Sequence, residues 1–161
     1  MKTLDALFTH FLRDIYYAEK QVLKTLPKMA RKASSEDLKE AFEHHREETE
    51  EQIENLEKVF EMLGMKARGV TCEAIVGILD EGKEIMDETD SADARDAGMI
   101  AAAQAVEHYE MTRYGTLIAW SKTLKLDSKV TGLFEANLSQ EKAADDKLTK
   151  LAEGALNREA A

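Results

Sequence analysis

Cysteine, proline and glycine are scarce in this 161-residue chain: one Cys, one Pro and eight Gly. A lone Cys72 excludes an intrachain disulfide and a metal centre built from several thiolates. So little proline and glycine leaves no composition for a linker or a low-complexity segment. No apolar run approaches the roughly 20 residues of a membrane span. The opening Met1-Lys2-Thr3-Leu4-Asp5 lacks the apolar core of a signal peptide, so a cytoplasmic protein with no membrane contact is expected. Short basic runs are missing too, and the formal net charge is -10. Phosphate binding needs a basic face, so no nucleic-acid partner is expected.

Strong helix formers, namely Ala, Leu, Glu and Lys, dominate the composition. Hydrophobic residues make up 43% and charged residues 34%, which is a charge-coated helical domain and not a disordered chain. The length suits one domain over residues 1–161. Leu4, Leu7, Phe8, Phe11, Ile15, Val22 and Leu26 recur at helical spacing from a Thr3 cap, in a segment ending near Ala33 with Pro27 as a kink or a loosening of its last turns. A second segment starts at Ser34-Ser35, carries Leu38, Phe42, Leu56 and Val59, and stops at Leu63-Gly64. Residues 65–90 form a connection with a short helix that Thr71 can cap. Asp90-Ser91 open a third long helix to about Leu124, and Asp127 opens a fourth to about Leu156. Two short turns make two antiparallel hairpins, and a long crossover joins them. The predicted fold class is therefore all-α, a ferritin-like four-helix bundle with a short extra helix in the crossover.

Each apolar stripe is interrupted near its midpoint. The first passes through Glu19, the second through His45, Thr49 and Gln52 with Glu48 beside them. The third reads Ile100, Ala103, Glu107, Glu110, Tyr114, Leu117, and the fourth Val130, Phe134, Asn137, Glu141, then Asp145 and Leu148. Midpoints of antiparallel hairpins share one height, so these groups should meet in one layer. An ionised carboxylate buried without a partner is very costly, and six acids with one imidazole bring no fixed positive charge. Two divalent metal ions answer that need. Glu19, His45, Glu48, Glu107, Glu110, Glu141 and Asp145 are the candidate ligands. Glu110 and Asp145 could instead accept hydrogen bonds from ligands, and His45 could be a hydrogen-bonded core histidine. Oxygen-rich coordination with some imidazole favours iron, with manganese as the alternative. His10, His44 and His108 read as surface or boundary residues. Tyr17, Tyr109 and Tyr114 read as core packing with satisfied hydroxyls, and Cys72 as a plain buried or boundary thiol.

The segments Asp14-Ile15-Tyr16-Tyr17-Ala18-Glu19-Lys20-Gln21, Ala41-Phe42-Glu43-His44-His45-Arg46-Glu47-Glu48-Thr49 and Val106-Glu107-His108-Tyr109-Glu110 resemble the YciE/YciF family. Tyr114-Gly115-Thr116 and Glu141-Lys142-Ala143-Ala144-Asp145 extend the resemblance over nearly the whole chain. It implies a bacterial stress-associated protein with a rubrerythrin-like bundle, a di-metal site and a homodimeric state. Two departures from the common ferritin-like pattern stand out. The second helix carries His45-x-x-Glu48 where Glu-x-x-His is usual, and the fourth carries Glu141-x-x-Ala144. An extra Glu on the third helix resembles rubrerythrin, but one cysteine cannot build its four-thiolate iron centre, so a separate electron donor is implied. The expectation is a di-iron protein that reduces peroxide or oxygen. The alternative is a metal-binding or metal-buffering stress protein without turnover, and an iron-storage cage is the less favoured third reading.

Overall fold

The computed structural model describes residues 1–161. Helices span Leu4–Lys32 (α1), Glu36–Met62 (α2), Glu73–Glu88 (α3), Ala92–Thr123 (α4), Ser128–Leu151 (α5) and Asn157–Ala160 (α6). There are no strands. Short polar side chains start the long helices by taking up amide protons that have no partner in the first turn. Thr3 accepts from the Ala6 amide, Ser35 from Leu38, Ser91 from Ala94 and Asp127 from Lys129. α1 runs through Pro27 and ends with Ala33 N–H bonded to Met29 O. α2 ends at Gly64, whose φ of 66° is the left-handed position that glycine favours, and Met65 N–H closes back onto Phe60 O. α4 ends the same way with Lys125 at φ 55°.

Two details differ from the sequence expectation. α3 is capped by Cys72, not Thr71: the Ile75 amide lies 3.4 Å from Cys72 Sγ. Thr71 is exposed and Cys72 buried, so the burial of the thiol sets the phase of the helix start. The fourth bundle helix also stops being α-helical at Leu151. Residues Ala152–Leu156 form a π turn before α6 continues to Ala160.

α1 and α2 form one antiparallel hairpin and α4 and α5 the other. α2 packs on α5 and α1 on α4, so four helices enclose one core while α3 covers the outside of α4 and α1. This is the ferritin-like bundle. Leu12, Ile15, Leu38, Leu56, Leu117 and Phe134 are fully buried, and Phe8 meets Phe134 edge-on at 6.1 Å. The crossover is seamed to α1 where Val70 N–H bonds Arg13 O at 3.2 Å. A Cβ at Gly69 would lie 3.0 Å from Tyr17 Cβ, so glycine permits that close approach. No helix is long and apolar enough to cross a membrane.

One buried carboxylate ties the two hairpins at their shared end. Asp96 of α4 accepts the backbone amides of Ser34 (2.9 Å) and Ser35 (2.8 Å) in the turn between α1 and α2, and it is 1% exposed. Asp96→Ala should lower unfolding stability by roughly 1–3 kcal/mol, because two part-buried amides then lack their charged acceptor. Urea melts beside the exposed Asp93→Ala check this. Equal midpoints for the two variants would show that Asp96 anchors nothing.

Candidate metal centre

Residues three apart on a helix face one way, so Glu107 and Glu110 of α4 present a pair of carboxylates to the core. Glu141 comes from α5 and His45 from α2. Donor atoms of His45, Glu107, Glu110 and Glu141 all lie within 4.8 Å of one another, and all four residues are buried. Glu19 of α1 joins this layer through Tyr114, whose hydroxyl donates a very short hydrogen bond to Glu19 Oε1. Glu19, Glu110 and Glu141 are 0% exposed, which removes bulk water as their partner.

His45 is aimed by its outer nitrogen. Nδ1 lies 3.1 Å from Glu48 Oε2, while Nε2 points into the cluster, 3.0 Å from Glu107 Oε1 and 3.7 Å from Glu141 Oε2. The Glu107 contact is the shorter, and the charge of that carboxylate holds this nitrogen. Glu48 thus stands behind the imidazole, its other oxygen 3.2 Å from the exposed His44. A carboxylate on the far nitrogen of a histidine fixes the ring's tautomer and orientation for an inward ligand. Asp145 turns sideways: Oδ2 lies 3.1 Å from the exposed His108, and Oδ1 is buried without a partner.

Six carboxylate oxygens in this layer are buried and unpartnered: one on Glu19, one on Glu107, and both on Glu110 and on Glu141. Buried polar atoms are rarely left so. Below them lies a polar layer in which Asn137 donates 3.1 Å to the Tyr114 hydroxyl and accepts 2.9 Å from Asn55. Gln52, fully buried in the same region, has no partner for its side-chain amide.

Metal-free, this layer must hold protons. Burial pushes the Glu110 and Glu141 carboxyls well above their usual range, and the neighbouring carboxylates push the same way. Burial raises Glu19 from 4.5 to about 7, against the opposing hydrogen bond from Tyr114. For His45, burial favours loss of the proton, but the charge of Glu107 outweighs it and the imidazolium persists well above the usual value. Glu107 also resists ionisation through burial, yet the His45 charge wins and its carboxyl sits below the usual range. Without metal the site is thus a His45–Glu107 ion pair flanked by carboxyls that retain protons. The orphaned oxygens and the inward imidazole nitrogen fit a bound metal ion.

A second polar cluster lies on the other side of α4. The Tyr109 hydroxyl donates to Asp14, and Cys72 Sγ lies 2.8 Å from the same hydroxyl. Arg113 Nε donates to Asp14 at 3.3 Å and to the Tyr109 oxygen at 3.1 Å, over the ring of Phe11. Burial pushes the thiol of Cys72 up and, with Asp14, does the same to the phenol of Tyr109. The thiol is therefore not activated, in line with the bland sequence reading. Asp14 was not singled out in the sequence. Its one signal was an acid on the buried side of the first helix.

The chain matches the family described as "Domain of unknown function (DUF892)" over residues 3–161. It is 43% identical over 161 residues to protein YciF of Escherichia coli (strain K12), covering 99% of this chain and 96% of that protein. The crystal structure of the E. coli stress protein YciF superposes with a TM-score of 0.92 over 98% of this chain and 99% of its own. YcfI from Rhodopseudomonas palustris is 49% identical, with a TM-score of 0.89 over 92% of this chain and 94% of that one. A protein from Xanthomonas campestris pv. campestris, 22% identical with a TM-score of 0.75 over 99% of this chain and 100% of its own, shares the fold. With the helical bundle and the quoted motifs on one side and full-length identity on the other, the chain belongs to the DUF892 family, the YciE/YciF group of bacterial stress proteins.

Proposed function

We propose that this protein holds two metal ions, iron before manganese, in the layer formed by Glu19, His45, Glu107, Glu110 and Glu141, and that it reduces peroxide or dioxygen during stress. The observation that carries the reading is the set of six buried, unpartnered carboxylate oxygens facing one imidazole nitrogen. An oxygen-rich donor set with one histidine suits iron or manganese better than a closed zinc site. Glu48 serves by orienting His45, and Asp145 stands at the rim with one free oxygen. Iron bound there would supply two electrons to the oxidant. The chain's own residues manage protons: carboxyls at Glu110 and Glu141 that hold protons when metal-free release them as metal enters. The Tyr114 hydroxyl donates to Glu19 and holds that carboxyl in place. Cys72 alone cannot form an iron–thiolate relay, so electrons come from a separate donor protein. The family resemblance adds a homodimer.

Loading the chain anaerobically with ferrous iron and adding peroxide tests the reading. Peroxide should be consumed at about one equivalent per two irons, with an absorbance of oxidised iron appearing in step. Iron uptake with no peroxide loss would instead support the second reading, a metal-binding stress protein without turnover. The full burial of the acids favours that alternative, since a metal that neutralises them stabilises the fold without any turnover. Failure to take up iron would overturn both.

A further inference from the structure

The sequence shows no substrate pocket, but packing α2 against α5 makes one beside the cluster. A pocket of about 160 Å³ opens to solvent between these helices and ends on His45, Glu48 and Glu107. Its walls are Leu26, Phe42 and Leu148. The space exists because four alanines, Ala41, Ala103, Ala143 and Ala144, stand where three helices face it. Ala144 is three residues beyond Glu141, the position at which the common Glu-x-x-His pattern would place an imidazole. The missing ring leaves room beside His45.

The volume and lining decide what fits. An engineered apolar cavity of about 150 Å³ stays dry and takes up benzene. Peroxide or dioxygen has two heavy atoms and gains little from an apolar pocket of this size, so the walls serve a larger, carbon-based guest. Its inner end sets opposite charges side by side, the Glu48 and Glu107 carboxylates against the His45 ring, so it offers a charged guest no uncompensated partner. The apolar walls would strip water from a cation or an anion alike. Lys147 is the one cation at the mouth, and it is exposed.

We propose that this pocket binds a small neutral organic molecule, of the size of a singly substituted benzene ring, with its polar end against the His45–Glu107 edge of the cluster. The proposal rests on the metal reading only for the chemistry at that edge. Binding of the apolar body needs no metal.

The test uses benzyl alcohol, benzoate and benzylamine as isosteric neutral, anionic and cationic probes. Each is titrated by NMR into the metal-free and the cobalt(II)-loaded full-length chain. Benzyl alcohol should bind saturably to both forms and, in the metal-free chain, about tenfold more tightly than either charged probe. Cobalt should broaden its proton signals. Ala144→Leu fills the pocket and replaces no ligand residue, and should weaken benzyl alcohol about tenfold or more while cobalt uptake persists. Ala41→Leu fills the opposite wall and takes the place of Ala144→Leu if that variant does not give a native helical melt. No saturable binding of any probe to the folded parent overturns the pocket, whatever cobalt does. Tighter benzoate or benzylamine in the metal-free chain overturns the neutral guest. Cobalt uptake without broadening of a bound probe overturns the adjacency. Probe binding that persists where cobalt does not enter upholds the pocket and sinks the metal reading instead.

Discussion

Raising the pH of the metal-free protein from about 4.5 to about 7 should destabilise it by on the order of 3 kcal/mol, from Glu19 alone. Its carboxyl titrates at about 7 in the fold against 4.5 in the unfolded chain. Across that window the native state binds more protons than the unfolded state, so stability falls as pH rises. Glu110 and Glu141, also raised, add to the fall and carry it to higher pH. Glu107 acts oppositely: its depressed value gives stability that is present above 4.5 and lost as pH drops through its lower folded value. His45, raised, contributes fully below 6.5 and loses its contribution as pH rises through its higher folded value. Neither cancels the decline between about 4.5 and about 7. Metal replaces the protons as the source of positive charge, so its affinity should rise over the same range. Ferrous or manganous ion at about a thousand times its dissociation constant adds about 4 kcal/mol, or roughly 8–16 °C in melting temperature for a chain of this size. Calorimetric melts across pH, in chelator and in metal, read both effects. A metal-free melting temperature that stays level from pH 5 to 7, with no gain from metal, would remove the buried acids as the cause.

Glutamine substitutions in the cluster should split by sign. Glu141→Gln and Glu110→Gln should stabilise the metal-free bundle at pH 8 by about 1–3 kcal/mol, since each replaces a carboxyl that the fold must hold protonated or bear as a buried charge with a neutral amide of the same shape. Glu107→Gln should destabilise it by about 3–5 kcal/mol, because the His45 imidazolium 3.0 Å away then loses its counter-charge. All three should weaken metal binding. Glu54→Gln on the exposed face of α2 should change stability by less than about 0.5 kcal/mol and leave metal binding alone. Chelated and metal-loaded melts of the four variants are sufficient. If Glu107→Gln and Glu141→Gln shift the metal-free protein in the same direction, the ion pair at His45 is the wrong description of the empty site.

The bundle was legible because its signals are local. Helical spacing from Leu4 to Leu26, the caps at Thr3, Ser35, Ser91 and Asp127, and the glycine stop at Gly64 depend on a few residues of backbone geometry. The height of the polar layer was legible too, since antiparallel hairpins bring helix midpoints level. The rotation of each helix was legible only to within its apolar stripe, which ranked Glu48 and Asp145 with the inward ligands; packing against neighbours selects the finer setting. That rotation gathers His45, Glu107, Glu110 and Glu141 within 4.8 Å, sets Glu48 behind His45, and turns Asp145 toward His108. It also buries Cys72 in place of Thr71 at the start of α3. The same packing leaves four alanines of three helices facing one another across a space. Helix identity follows from hydrogen bonds four residues apart. A shared donor layer and a pocket exist only between residues distant in sequence, so they are decided when the helices dock.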